Sequence, residues 1–191
     1  LSGLYYTSPE VPPDHLKYGN MSLMTTNANT MVKPEWLQGG WWDGIQDFWD
    51  DFKQGGGLEK DPTFDTNKSK ISPDQKLKVG SIGSQQTLAP GEEKVFEFII
   101  SWYFPNRIKG WSIEECCPDA KNCQDIPIEK NYYSNLWDDS WEVGQYLVKE
   151  KERLEEKSRD FTRALFNSSL PDYVIEAAAA NITVLRSPTC F

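Results

Sequence analysis

KLKVGSIGSQQTLAPGEEKVFEFIISWYF, Lys76 to Phe104, carries the clearest backbone signal in the chain. Leu77, Val79 and Ile82 mark one strand. Pro90-Gly91 fits a tight turn, because proline presets one turn dihedral and glycine accepts the other. Val95 to Phe104 is β-branched and aromatic, with helix formers scarce. Strand, turn and strand of this texture predict part of a β-sandwich. Toward the N-terminus, Gly3–Tyr6 and Gly19–Met24 read as further short strands. Toward the C-terminus, residues 105–133 read as a long irregular loop.

Beyond that loop the texture changes to helix. From Asn135 to Leu165 there is little glycine and no proline. Leu147, Leu154 and Phe161 recur at seven, and Trp137, Trp141 and Leu165 extend the stripe. The charged run Lys149–Arg153 and Glu155–Lys157 fills the solvated face. This predicts one amphipathic helix of about 45 Å. Asn167-Ser168-Ser169 ends it, and Pro171 suits the first turn of a second helix. Val174, Ala178, Ile182 and Leu185 are expected to line one side of that helix, and Pro188 to stop it. Two helices cannot cover their own apolar faces, so the pair expects more protein against it.

WWDGIQDFWDDF, Trp41–Phe52, combines the residue types of a sugar site: aromatic faces for a pyranose and carboxylates for its hydroxyls. On a helix, Trp41, Ile45, Phe48 and Phe52 share one sector, with Trp42 and Trp49 at its edge. Asp43, Asp47, Asp50 and Asp51 take the opposite side. The primary reading is a helix whose aromatics face a core and whose aspartates face water, stopped by Gly55-Gly56-Gly57. A sugar platform is the second reading. Carboxylates on one helix face also do not form a glycosidase pair, whose members approach the scissile bond from two sides.

The chain has 191 residues and a formal net charge of -9. So acidic a chain repels phosphate backbones, which excludes nucleic acid as an expected partner. Aromatic residues make up 13%, ample for a core. No apolar run approaches the ~18 residues of a membrane span. Cys116, Cys117 and Cys123 lie in CCPDAKNC, which lacks C-x-x-C spacing. With His15 the lone histidine, no metal site is expected. The three thiols fit one disulfide or free cysteines alike. Sequons occur at Asn20, Asn67, Asn167 and Asn181. There is no internal repeat, no phosphate loop, no G-x-S-x-G and no H-E-x-x-H, so no cofactor is expected. The chain starts Leu1-Ser2-Gly3 and stops at Cys190-Phe191, and both ends read as cut from something longer.

Several segments then line up in order: DGIQDFWDDF, the LAPGE turn with FEFIISWYFPNR, NYYSNLWDDSWEVGQYL, and RLEEKSRDFTRALFNSSLPDYVIEAAAANITVLRSPTCF. They resemble glycoside hydrolase family 116, the family of β-glucosidases and of the non-lysosomal bile-acid β-glucosidase (glucosylceramidase). The most specific parts are Trp102–Arg107 and Leu185–Phe191. The cysteine loop has no counterpart in the resemblance. The resemblance implies a β-sandwich followed by an (α/α)6 barrel. Residues 1–130 would be the later part of the sandwich, and 134–191 the linker and first barrel helices.

The family is a retaining one, with a glutamate nucleophile and an aspartate acid/base on the barrel. Neither position matches this chain, so no catalytic residue is assigned. The implied partner is a β-glucoside or glycolipid held by a barrel outside the chain, in the cytoplasm or at a membrane face. Arg107, at a strand end, and Arg186 and Thr189, after the last helix, are the substrate-binding candidates. A plain ion pair is the competing reading for Arg107, and a connecting turn for the other two. Glu142, Glu155 and Glu156 read as helix-surface carboxylates. The alternative function is a non-catalytic carbohydrate-binding or docking module.

Overall fold

A computed structural model describes residues 1–37, 43–55, 58, 79–109 and 128–182. The fold is mixed, with antiparallel sheets and helices. By packing, residues Leu1–Pro105 and Tyr132–Gly144 form one unit, and Asn106–Asn131 with Gln145–Phe191 a second.

The first unit is built on a three-stranded sheet of order β1–β2–β5: β1 (Ser2–Thr7), β2 (Asn20–Thr25) and β5 (Phe98–Tyr103). Leu4 pairs with Leu23 and Leu23 with Ile100, while Ser22 pairs with Ser101 on the other face. Alternation is plain in β5, where Ile99, Ser101 and Tyr103 are buried and Phe98, Ile100 and Trp102 are exposed. A second sheet pairs β3 (Thr30–Lys33) with β4 (Ser81–Ser84). It lies on the Leu4 side of β1: a Cβ on Gly80 would come within 3.0 Å of the Pro34 carbonyl, the Tyr6 hydroxyl and Leu4.

The Pro90-Gly91 turn forms as expected. Gly91 sits at φ +79, and the Glu92 amide donates to the Ala89 carbonyl at 2.9 Å. That is the type II arrangement, which needs positive φ at its third residue. The strand after it is shorter than Val95–Phe104, for Val95 and Phe96 precede the first ladder pair. Leu77 lies outside the described residues.

Helix α1 (Asp43–Gly55) ends at the glycines as expected, but its orientation corrects the sequence reading. Asp47 and Asp51 meet the ammonium of Lys33, which is buried on β3, with Asp47 at 2.7 Å. Of the described aromatic row, Phe48 stacks on Trp36 at 4.7 Å while Ile45, Trp49 and Phe52 stay about half exposed. A buried cation offered by the sheet turns the acidic side inward, since a buried charge requires a partner.

In the second unit, β6 (Asn106–Ile108) pairs with β7 (Ile128–Lys130). The expected irregular loop 105–133 is thus corrected at both ends; three-residue strands are too short for an alternation signal. A 3₁₀ turn covers Tyr132–Asn135. Helix α2 (Ser140–Phe166) follows, with 27 residues, or about 40 Å. Helix α3 spans Asp172–Asn181 after Pro171. On α3 the buried residue is Ile175, while Ala178 is exposed, so the expected Val174–Ala178 row is displaced by one position. Leu185 and Pro188 lie outside the described residues.

Candidate functional site

The N-terminus of α2 is fixed by its own sequence and then by the sheet. The Asp139 carboxylate accepts the Glu142 amide at 2.8 Å, and the Glu142 carboxylate accepts the Asp138 amide at 2.8 Å. This capping-box exchange satisfies amides the first helical turn leaves open. Ser140, the next residue, has no exposed surface. Its hydroxyl shares a 2.6 Å hydrogen bond with Ser22, its carbonyl accepts the Ser101 hydroxyl at 2.7 Å, and its amide donates to Asn20 at 2.7 Å. One turn on, Gly144 lies against Met24 so closely that an added Cβ would sit 2.4 Å from its terminal methyl. Three polar side chains on β2 and β5 therefore weld the helix to the sheet.

Tyrosines flank this junction. Tyr103 and Tyr133 meet edge to face at 5.6 Å. The Tyr133 hydroxyl donates to the Phe104 carbonyl and accepts the Phe104 amide at 3.2 Å. The Tyr103 phenol is pushed above its ordinary range by burial, then by the Asp138 carboxylate. Tyr5 is raised by burial and then by Asp139. Tyr5 and Tyr103 therefore stay protonated at neutral pH.

The described part of the aromatic-aspartate stretch lies on α1. Its carboxylates at Asp47 and Asp51 are consumed by Lys33, and Gln46 donates to Asp50 at 2.8 Å. What faces outward is the row Ile45, Trp49 and Phe52, with Trp49 and Phe52 edge to face at 5.9 Å. Trp41 and Trp42 lie outside the described residues.

Of the substrate-binding candidates, Arg107 is on β6, exposed, and bound to Glu129 across the hairpin at 2.6 Å. Arg186 and Thr189 lie outside the described residues, as do the Cys116–Cys123 loop and Cys190. His15 is an exposed loop residue whose Nδ1 accepts the Lys17 amide at 3.1 Å. Glu155 is an exposed α2 carboxylate, held below its usual range by the hydrogen bond and charge of Arg159. Among the described residues, no group of three or more potential metal ligands occurs, and no helix is long and apolar enough to cross a membrane.

Sequence reasoning missed Lys33 and the Asn20–Ser22–Ser101–Ser140 cluster. The cap was readable in Asp139-Ser140-Trp141-Glu142. The serines and Lys33 carry no periodic signal, since each acquires its role only when distant segments meet.

Among the described residues, then, a small sheet is bolted through Asn20, Ser22 and Ser101 to the start of a helix. A family model described as "beta-glucosidase 2, glycosyl-hydrolase family 116 N-term" matches residues 1–154. The chain belongs to glycosyl-hydrolase family 116, in its N-terminal region. No curated protein matches it.

Proposed function

We propose that the chain is the accessory region of a retaining β-glucosidase or glucosylceramidase and performs no bond cleavage itself. The observation that carries this reading is the family match over residues 1–154, which is to the family's N-terminal region. The site geometry supports it. A retaining glycosidase needs two carboxyl groups about 5–5.5 Å apart on either side of the bond. Asp47 and Asp51 instead share one lysine from one helix face.

In this reading residues 1–130 are the later part of the sandwich, and 134–191 lead into an (α/α)6 barrel. The barrel supplies the nucleophile and the acid/base. Arg186 and Thr189 approach the substrate from the loop after the last helix. Arg107 serves the sugar or the barrel only by exchanging its bond to Glu129. The substrate is a β-glucoside or a glycolipid bearing one, met in the cytoplasm or at a membrane face. The weld at Ser140 would then set the position of the first helix leading to the barrel.

The test compares hydrolysis of an aryl β-glucoside and of glucosylceramide by the 191-residue chain and by the complete coding region that contains it. An inert chain and an active full-length protein are expected. Activity in the chain alone, or none in the whole, overturns the reading. The exposed Trp49 favours a second reading, a carbohydrate-binding module. A shift of tryptophan fluorescence on titration with a β-linked glucose oligosaccharide would support it, and a flat titration removes it.

A further inference from the structure

We propose that Thr162 on α2 is a phosphorylation site, and that a phosphate there loosens the end of the helix. This stands independently of the glycosidase reading. Thr162 closes the run Lys157-Ser158-Arg159-Asp160-Phe161-Thr162 and is followed by Arg163. Cations five and three places before a hydroxyl, with another just after it, are a charge pattern that a kinase with an acidic substrate groove selects. Arginine at the nearer place offers a planar fork that a groove carboxylate grips with two hydrogen bonds. Among the described residues, no other serine or threonine has an arginine three places before it. Arg186-Ser187-Pro188-Thr189 repeats the nearer spacing but has Val184 at the farther place.

The fold leaves this acceptor open. Every residue from 155 to 164 is exposed, and α2 buries none of its residues beyond Gly144. Glu155, Ser158, Arg159, Thr162 and Arg163 line a shallow groove along the helix. A kinase takes its acceptor in an extended form, so the helix must open locally. Thr162 lies one turn before Phe166, where α2 ends, and a helix end without tertiary packing opens at little cost. The Thr162 hydroxyl donates to the Ser158 carbonyl at 2.9 Å, a bond inside the same helix.

The step itself balances with Mg·ATP as the co-reactant. The Thr162 oxygen forms a bond to the γ-phosphorus, and the bond from that phosphorus to the β,γ-bridging oxygen breaks. ADP leaves with that electron pair, and the hydroxyl proton passes to the base of the kinase.

The product is worse suited to the helix than the alcohol. The phosphate carries a charge of about −1.5 to −2, and the hydrogen bond donated to Ser158 is gone. Its nearest cations are already engaged, Arg159 by Glu155 at 3.0 Å and Arg163 by Asp160 at 3.1 Å. The phosphate therefore competes with two carboxylates of its own sign. Negative charge near the C-terminal end of a helix also opposes the macrodipole. The last turns of α2 give way.

The test treats the 191-residue chain with Mg·ATP and a purified serine/threonine kinase that requires arginine three places before its acceptor. Mass spectrometry locates the phosphate. A single phosphate on Thr162 is expected, kept in Thr162→Ser, absent in Thr162→Ala, and taken up several-fold more slowly in Arg159→Lys, which retains the charge but not the fork. The phosphorylated chain should lose helical signal at 222 nm equivalent to about one to two turns, and a phosphatase should restore it. A chain that takes up no phosphate overturns the proposal, and does so on grounds of access if a peptide of residues 153–166 is phosphorylated by the same kinase. Phosphate on other hydroxyls alone, uptake indifferent to Arg159→Lys, or a helical signal unchanged by the phosphate overturns it equally.

Discussion

Ser140 spends its amide, carbonyl and hydroxyl on three different strand residues, from a position with no exposed surface. Removing the hydroxyl leaves Ser22 buried without its partner, and an orphaned buried hydroxyl costs more than a hydrogen bond returns. Ser140→Ala should therefore lower stability by about 2 kcal/mol in urea titration. The double variant Ser22→Ala/Ser140→Ala should lose less than the sum of the singles, a coupling a double-mutant cycle reads directly. Lys33 is the charged counterpart. Burial works against its ammonium, but hydrogen bonds to Asp47 and Asp51 and their charges outweigh this, and its pKa lies above the ordinary 10.5. A raised pKa means its contribution is whole below 10.5 and disappears as pH climbs through the folded value. Lys33→Met should cost about 2 kcal/mol, less than a fully buried pair because the carboxylates reach water. It should also remove the alkaline release of α1, read as the difference between the two proteins in Trp fluorescence during alkaline titration.

At the scale of elements, the legible parts were those with long or strongly marked patterns. β2, β5, the Pro90-Gly91 turn, α1 and α2 stand within a few residues of their expected places. β3, β6 and β7 were not legible, because three or four residues give no period to count. α1 shows the limit of a helical pattern. Its two faces were correctly separated, but the pattern does not say which face the rest of the protein wants. The answer lay in Lys33 and Trp36, one on a strand too short to notice. Of the site candidates, Arg107 shows how a strand-end arginine finds a local partner. Arg107→Ala should change stability by less than about 1 kcal/mol, and that change should shrink in high salt, because the pair with Glu129 is exposed. Chemical denaturation at two ionic strengths measures both.

For the molecule as a whole, among the described residues the first unit holds nearly all the buried ones. Met24, Ile99, Tyr103, Ser22 and Thr25 are buried on β2 and β5, whereas α2 buries only Ser140 and Gly144, both at its welded end, and α3 buries Ile175. Apolar burial is what offsets chain entropy, so α2 beyond Gly144 and α3 have little of it with which to resist unfolding. Urea unfolding should therefore not be two-state. The helical signal at 222 nm should be lost at lower denaturant than the hydrogen-exchange protection of β2 and β5. Coincident curves would show that the helices draw support from the sheet throughout. The acidic balance was legible from composition. The division into units was not, since it depends on pairings between segments far apart in the chain.

The weld at Asn20 also bears on how the protein can be made. Asn20-Met21-Ser22 is an acceptor sequence for an oligosaccharide, yet in the fold Asn20 is 4% exposed and holds the Ser140 amide. Its partner is 120 residues further along the chain. During translocation into a glycosylating compartment, Asn20 would meet the transferase long before Ser140 was synthesised. A glycan placed there would occupy the seat of α2 and prevent the helix from docking. Biosynthesis by that route must outrun or avoid the modification, whereas a ribosome that releases the chain where no such transferase exists imposes no such race.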